Sequence, residues 1–320
     1  MGVGLVRKGA TGSVSHSQGT PTLALRDTYG ATFSFIEQGQ VTLVSSGSQP
    51  TTPTNFDLVF FSKSRAGKMI ASVVGPSGID YNLQNSFMGN TIIKWLPSAT
   101  TNIQINPGAA GSGWGSGWTA RNVTGAQTHP TKANTNAMAS LNRALFSTTA
   151  AINTSSGLQS TNTIVWRGSA TSLGGFFFFA RFGMVTIGTG ARVIIGLSVL
   201  NGTLTVEPST INNTIAIIKD AADTTWQFLT RNTSTLTKRD TSVTVTANQV
   251  LDIYIHVKPN DNAATFELRN PVAGTLLYSQ TLTVGMIDGT VFLYAHCQVQ
   301  ASAASLSALA LNQIHIEADV

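Results

Sequence analysis

Four consecutive phenylalanines, Phe176–Phe179, sit inside the stretch GGFFFFARFG at residues 174–183. In an extended chain successive side chains point to opposite faces. Phe176, Phe178, Ala180 and Phe182 then face one way, and Phe177, Phe179 and Arg181 the other. A half-exposed strand cannot carry this run. Bounded by glycines and rich in aromatics, it reads as a central strand buried on both sides. A plain two-sheet sandwich covers one face of each sheet. The second cover must be another layer of the chain or another copy of it. Phe177 and Phe179 are therefore expected at a subunit interface or under a second layer.

From residue 158 onward the pattern is consistently β. Val250–Lys258 shows it best: Leu251, Ile253, Ile255 and Val257 alternate with Asp252, Tyr254, His256 and Lys258. Ile314 and Ile316 repeat the alternation against Gln313, His315 and Glu317. Turn signals such as Asn201-Gly202, Lys258-Pro259-Asn260 and Asp288-Gly289 separate about eleven strand candidates. Short strands at this spacing predict an all-β fold with a C-terminal antiparallel sandwich or jelly roll.

The chain divides, on this reading, into an arm over residues 1–50, a small β segment over 51–97, a Gly/Ser/Asn-rich linker over 98–157 and the sandwich over 158–320. The arm is rich in Gly, Ser and Thr and has no core of its own, so it is expected to gain order on a partner. FDLVFF (residues 56–61), KMIASVV (68–74) and TIIKWL (91–96) are the strands of the small segment. Within the linker, GSGWGSGW (111–118) spaces its glycines by two, which is not a dinucleotide fingerprint. Trp114 and Trp118 are expected to pin this loop to the domain or to a neighbouring subunit. Around 136–157, Met138, Leu141 and Leu145 allow a short helix.

Composition narrows the partners. Only 10% of residues are charged, against about a quarter in typical soluble domains. The net charge of +5 comes from scattered basic residues. No basic stripe with interleaved aromatics is present, so nucleic acid is not expected as a partner. The single cysteine, Cys297, forms no intrachain disulfide. No apolar run is long enough for a membrane span. The first residues lack a secretory core, which suggests synthesis in a cytoplasm and release by another route.

Three stretches carry a resemblance: KMIASVVGPSGIDYNLQ with IIKWLPSATT (68–101), WRGSATSLGGFFFFARFGM (166–184) and ADTTWQFLTRN (222–232). Together they resemble structural proteins of tailed bacteriophages, of the tail-fibre or receptor-binding type, with a concanavalin-like C-terminal sandwich. The resemblance spans roughly residues 55–320. It implies a place on the virion, a homotrimer, attachment to other virion proteins through the N-terminal arm, and recognition of a bacterial surface glycan or protein. A head fibre, collar or decoration subunit and a polysaccharide-degrading tailspike are the alternatives.

Catalytic signals are weak. Glycoside hydrolysis generally uses two carboxylates about 5–10 Å apart. No strand here places two glutamates on one face, and Asp220 and Asp223 read as turn residues. No nucleophile elbow, P-loop or metal-spaced histidine set occurs, so no catalytic residue, metal or cofactor is assigned. His296 and Cys297 are adjacent and would point to opposite faces. Sugar recognition uses a flat aromatic with amide side chains. Trp226, Gln227 and the turn Asn260, Asp261 and Asn262 have that composition. Binding there would rest on aromatics and amides rather than on charge.

Overall fold

The computed structural model describes residues 117–169 and 174–319, residues 59–74, 80–82 and 90–97, and the backbone of the strands Leu23–Arg26, Thr32–Glu37 and Gln40–Leu43. The chain divides into two compact units, residues 1–85 and 86–320.

The first unit holds two three-stranded antiparallel sheets. One runs Leu23–Arg26, Thr32–Glu37, Gln40–Leu43, within the stretch expected to be an arm. The other runs Val59–Arg65, Lys68–Val74, Asp80–Asn82. The Val59–Val74 hairpin closes on Ala66 and Gly67, with φ of 49° and 79°. Two positive φ values match the right-handed twist of paired strands. Ser62 and Lys63 lie in the first strand of this hairpin and are buried.

The second unit is an antiparallel β-sandwich of two eight-stranded sheets. In sheet I the order is Thr275–Leu282, Ala264–Asn270, Leu251–Val257, Phe176–Thr186, Ala308–Asp319, Ala144–Ser147, Ala126–Thr128, with Asn90–Trp95 also on Ala308–Asp319. In sheet II it is Leu236–Thr244, Thr225–Arg231, Thr214–Lys219, Ala191–Ser198, Phe292–Ala301, Thr154–Ser160, Trp118–Ala120, with Val165–Trp166 also on Phe292–Ala301. The all-β antiparallel sandwich expected from the alternation is therefore the fold.

Its boundary differs from the expectation. Four strands between residues 118 and 160 belong to the sandwich, and so does Asn90–Trp95. The Gly/Ser-rich composition hid them, since three of the four are only three or four residues long. The helical spacing near residue 138 yields a single turn, Ala137–Ser140, whose Ala139 N–H donates to the Asn136 cap.

The core between the sheets takes one alternate set from each strand. Sheet I contributes Phe176, Phe178, Ala180 and Phe182, and Leu251, Ile253, Ile255 and Val257. Sheet II contributes Val193, Ile195, Trp226, Phe228, Leu293, Ala295, Cys297 and Val299. Burial of such aromatic and aliphatic side chains is the main term holding the layers together, at about 1.5–3 kcal/mol for each large one. Gly175, with φ of 85°, leads into the phenylalanine strand; a Cβ there would lie 2.7 Å from the Pro259 nitrogen. Only glycine supplies both that conformation and that space.

The other phenylalanine face is flanked by rings of the neighbouring strand. Phe179 stacks on Tyr254 at 4.9 Å, and Phe177 contacts Tyr254 and His256. Phe177 is only 4% exposed. Its expected role at an oligomer interface is corrected: the side chain is already buried within one chain. Phe179 is half-buried. Arg181, next on this face, forms a two-pronged pair with Asp252 at 2.7 and 2.8 Å. Sheet II also has a second cover. Leu204 and Ile211, from the connection over residues 199–213, pack on Ile194, Ala216, Ile218 and Leu229.

Candidate functional site

The residues expected to bind sugar do not assemble. Trp226 is 1% exposed and lies between the sheets, edge-on to Phe182 at 5.2 Å. Its assignment to a ligand surface is corrected: strand parity turns it inward with Phe228. Gln227 points the opposite way, is buried, and donates to Thr225 Oγ1 at 2.8 Å. Asn260, Asp261 and Asn262 sit in a turn of sheet I. Their oxygens are taken by Arg167, whose Nη1 donates to Asn260 O, Asp261 O and Asn262 Oδ1, while Nε donates to Ile287 O. This guanidinium fixes the turn as structure. Trp118 is likewise a core residue, 3% exposed, and not an interface residue. Trp114 lies outside the described residues.

A different face brings polar and aromatic groups together. Along Phe292–Ala301, Leu293, Ala295, Cys297 and Val299 enter the core. Phe292, Tyr294, His296, Gln298 and Gln300 therefore line the outer face of sheet II. His296 and Cys297 do point apart, and burial pushes the Cys297 thiol well above its ordinary range. Register places Trp166 beside Phe292, Ser198 beside Tyr294, and Gln159 beside His296.

The centre of this stripe is a buried hydrogen-bonded network. Gln298 is oriented by backbone: Leu204 N–H donates to its Oε1 at 2.8 Å, and its Nε2 donates to Gly202 O at 3.1 Å. Its amide nitrogen also faces His296 Nδ1 at 3.0 Å. An amide N–H can only donate, so Nδ1 accepts and the imidazole proton sits on Nε2. That proton is donated to Ser198 Oγ at 3.0 Å. Ser198 and His296 thus have the spacing of a nucleophile and base but the opposite proton placement, since a base needs its lone pair toward the hydroxyl. His296 is fully buried, and desolvation, with the nearby Arg121 charge, lowers its pKa to about 3. It is a neutral structural residue.

The open part of the stripe flanks this network. The Trp166 and Phe292 rings stack at 5.1 Å and 12°. Phe292 is 51% exposed and Trp166 is half-buried. Tyr294 follows, half-buried and edge-on to His296. Beyond it Arg121 donates from Nε to Gln159 Oε1 at 2.8 Å and from Nη2 to Asn201 Oδ1 at 2.9 Å. Thr119 and Thr161 share a hydrogen bond at 3.1 Å on the same side. Accessible on this face is the aromatic surface of the Trp166–Phe292 pair that is not used in their mutual stack. This platform is flanked by the Tyr294, Thr119 and Thr161 hydroxyls, the Asn201 amide and the Arg121 guanidinium, whereas Gln159, Gln298 and Gln300 are buried. Such a set can hold a polar, ring-shaped ligand by stacking and hydrogen bonds. Among the described residues no cluster of three His, Cys, Asp or Glu could hold a metal ion.

Sequence reasoning missed these residues. The available signal was the alternation FLYAHCQVQ, in which the outward set is aromatic and amide-bearing rather than charged. Trp166 joins it only through strand pairing.

No protein family matches the sequence, and no curated protein matches it. Among solved structures, the chain is similar to a protein of unknown function from Shewanella oneidensis MR-1, at 12% identity over 74% of this chain and 90% of that one, with a TM-score of 0.51. Peanut lectin matches at 7% identity over 72% and 97%, with a TM-score of 0.47. The family 7 alginate lyase A1-II′ matches at 9% identity over 63% and 94%, with a TM-score of 0.39. The likeness to the Shewanella protein is one of fold.

Proposed function

We propose that this chain is a non-enzymatic glycan-binding protein of a phage particle, using the outer face of sheet II to attach to a bacterial surface. The observation that carries the binding reading is the Trp166–Phe292 stack at the open end of a face of hydroxyls and amides. Sugar rings present apolar C–H faces to such rings and hydroxyls to the accessible polar groups beside them, Thr119, Thr161, Tyr294 and Asn201. The virion setting rests on the sequence resemblance over residues 55–320, and on the weakly charged surface that a 10% charged chain presents. In that setting the N-terminal region attaches to the particle and several copies, a trimer by the resemblance, act together. Each site is then weak alone and gains by avidity.

The non-enzymatic reading is supported by the network around His296. Its proton lies on the wrong nitrogen for activating Ser198, and no solvent reaches it. The test is binding of the whole chain to host cells and to their isolated surface polysaccharides. Wild-type protein should be retained, and Trp166→Ala and Phe292→Ala should not. Retention of both variants at wild-type levels would sink the reading. Release of reducing ends from the polysaccharide would favour the tailspike alternative, and absence of any host binding the purely structural one.

A further inference from the structure

We propose, resting on the glycan reading above, that the ligand of this face is an acidic polysaccharide and that Arg121 recognises its carboxylate. Arg121 lacks a carboxylate partner among the described residues. Among the described residues the ion pairs join Arg181 to Asp252, Arg192 to Glu207, Lys238 to Asp220 and Asp223, Arg269 to Glu267, and His315 to Glu317. Arg121 is in none of them. Its hydrogen-bond partners Gln159 and Asn201, and Thr119 opposite Gln159, are all uncharged. The charge is felt locally, since it helps keep His296 neutral.

The guanidinium is also built into place. Gln159, which receives its Nε proton, is fully buried, and the same Gln159 oxygen accepts from Gly202 N–H at 3.0 Å. Asn201 takes Nη2. A surface arginine kept for solubility needs neither anchor. Two fixed neutral acceptors orient the planar fork and leave its charge whole, which is the state that a bidentate carboxylate contact requires.

Distance sets the length of the ligand. Gln159 lies opposite His296, and Trp166 opposite Phe292. Four residues along one strand at about 3.3 Å each separate Phe292 from His296 by roughly 13 Å. The Arg121 guanidinium lies on Gln159, one strand to the side of His296, so the platform and the charge are at least that order of distance apart. Tyr294 and the Thr119–Thr161 pair lie along that span. A linear oligosaccharide, one ring on the platform and a uronate on Arg121, fits the line better than a single sugar.

The experiment is calorimetric titration of the whole chain against a panel of uronate-bearing polysaccharide fragments and their carboxyl-reduced neutral counterparts. The expected result is a preference of about tenfold to a hundredfold for the acidic member of one pair, the scale of one charge-assisted contact. Arg121→Gln should abolish that preference and leave binding of the neutral member in place. Trp166→Ala should weaken both members alike. Equal binding of acidic and neutral members, or a preference that survives Arg121→Gln, overturns the acidic-ligand inference and leaves the glycan reading standing. Failure of wild-type protein to bind any member overturns both.

Discussion

The two sheets share one core and one alternation, yet the outer face of sheet I and the Phe292–Gln298 stretch of sheet II treat charge differently. On sheet I the outward charges are matched within the chain: Arg181 with Asp252, Arg269 with Glu267, His315 with Glu317. The phenylalanines there pack side by side with Tyr254 and His256 of the neighbouring strand. On sheet II the stretch from Phe292 to Gln298 carries no carboxylate among its outward residues, and the guanidinium beside it, Arg121, has no ion-pair partner among the described residues. Pairing resumes at Gln300, whose amide oxygen accepts from Arg192, itself paired with Glu207. A face that neutralises itself has little left to offer a ligand. A face whose amides are pinned by backbone and whose cation is unmatched is preorganised for one. The same scaffold thus separates a sealing surface from a recognising one.

The largest effect should come from the core common to both faces. Trp226→Ala should cost about 3–5 kcal/mol, read as a lower midpoint in chemical denaturation, because the ring is enclosed between the sheets. A loss under 1 kcal/mol would place the ring on a surface and reopen its role in binding.

Next is the sealing of sheet I. Asp252→Ala leaves Arg181 partly buried beside Phe179 without its partner, at about 2–3 kcal/mol, below the range for a fully buried pair because the arginine keeps some solvent. The double variant Asp252→Ala with Arg181→Met should recover much of that loss.

The buried network of sheet II predicts acid sensitivity. His296 binds a proton near pH 6.5 when unfolded and only near 3 when folded. The unfolded state therefore holds more protons between those values, and stability falls as pH drops through that window. The loss should approach 2 kcal/mol between pH 7 and pH 5, at about 1.4 kcal/mol per unit. Denaturation curves of His296→Gln, measured relative to wild type across that range, should lack this component. A wild-type slope unchanged by the substitution would contradict it.

The smallest stability effect belongs to the recognising face. Trp166→Ala should shift unfolding by about 1 kcal/mol, since the ring is half-buried and only a stacking contact is lost. Its effect on glycan retention should be complete.

The contrast between the faces also explains which parts were legible in the sequence. Leu251–Val257 was readable because one side is core and the other polar. Trp226 was not, because the strand Thr225–Arg231 carries Leu229 on its outer side, covered by Leu204 and Ile211. With apolar residues on both faces, alternation no longer says which set points inward. Trp118 was lost for a different reason, as its three-residue strand is surrounded by glycine and serine. Arg121 had no local signature at all. Its meaning depends on carboxylates being absent from its surroundings, and that is a property of the folded sheet alone.

The placement of the last two strands has a kinetic consequence. Phe292–Ala301 and Ala308–Asp319 each sit in the middle of a sheet, yet they follow every other strand of the sandwich in the chain. On the ribosome, neither sheet can close before they emerge. Until then Phe176–Thr186 and Ala191–Ser198 each present an unpaired edge, one of them carrying four phenylalanines. Such edges are templates for pairing between chains. Yield in a cell should therefore depend on how soon these two strands are made, and on chaperones that shield the phenylalanine edge in the interval, more than on the stability of the finished sandwich.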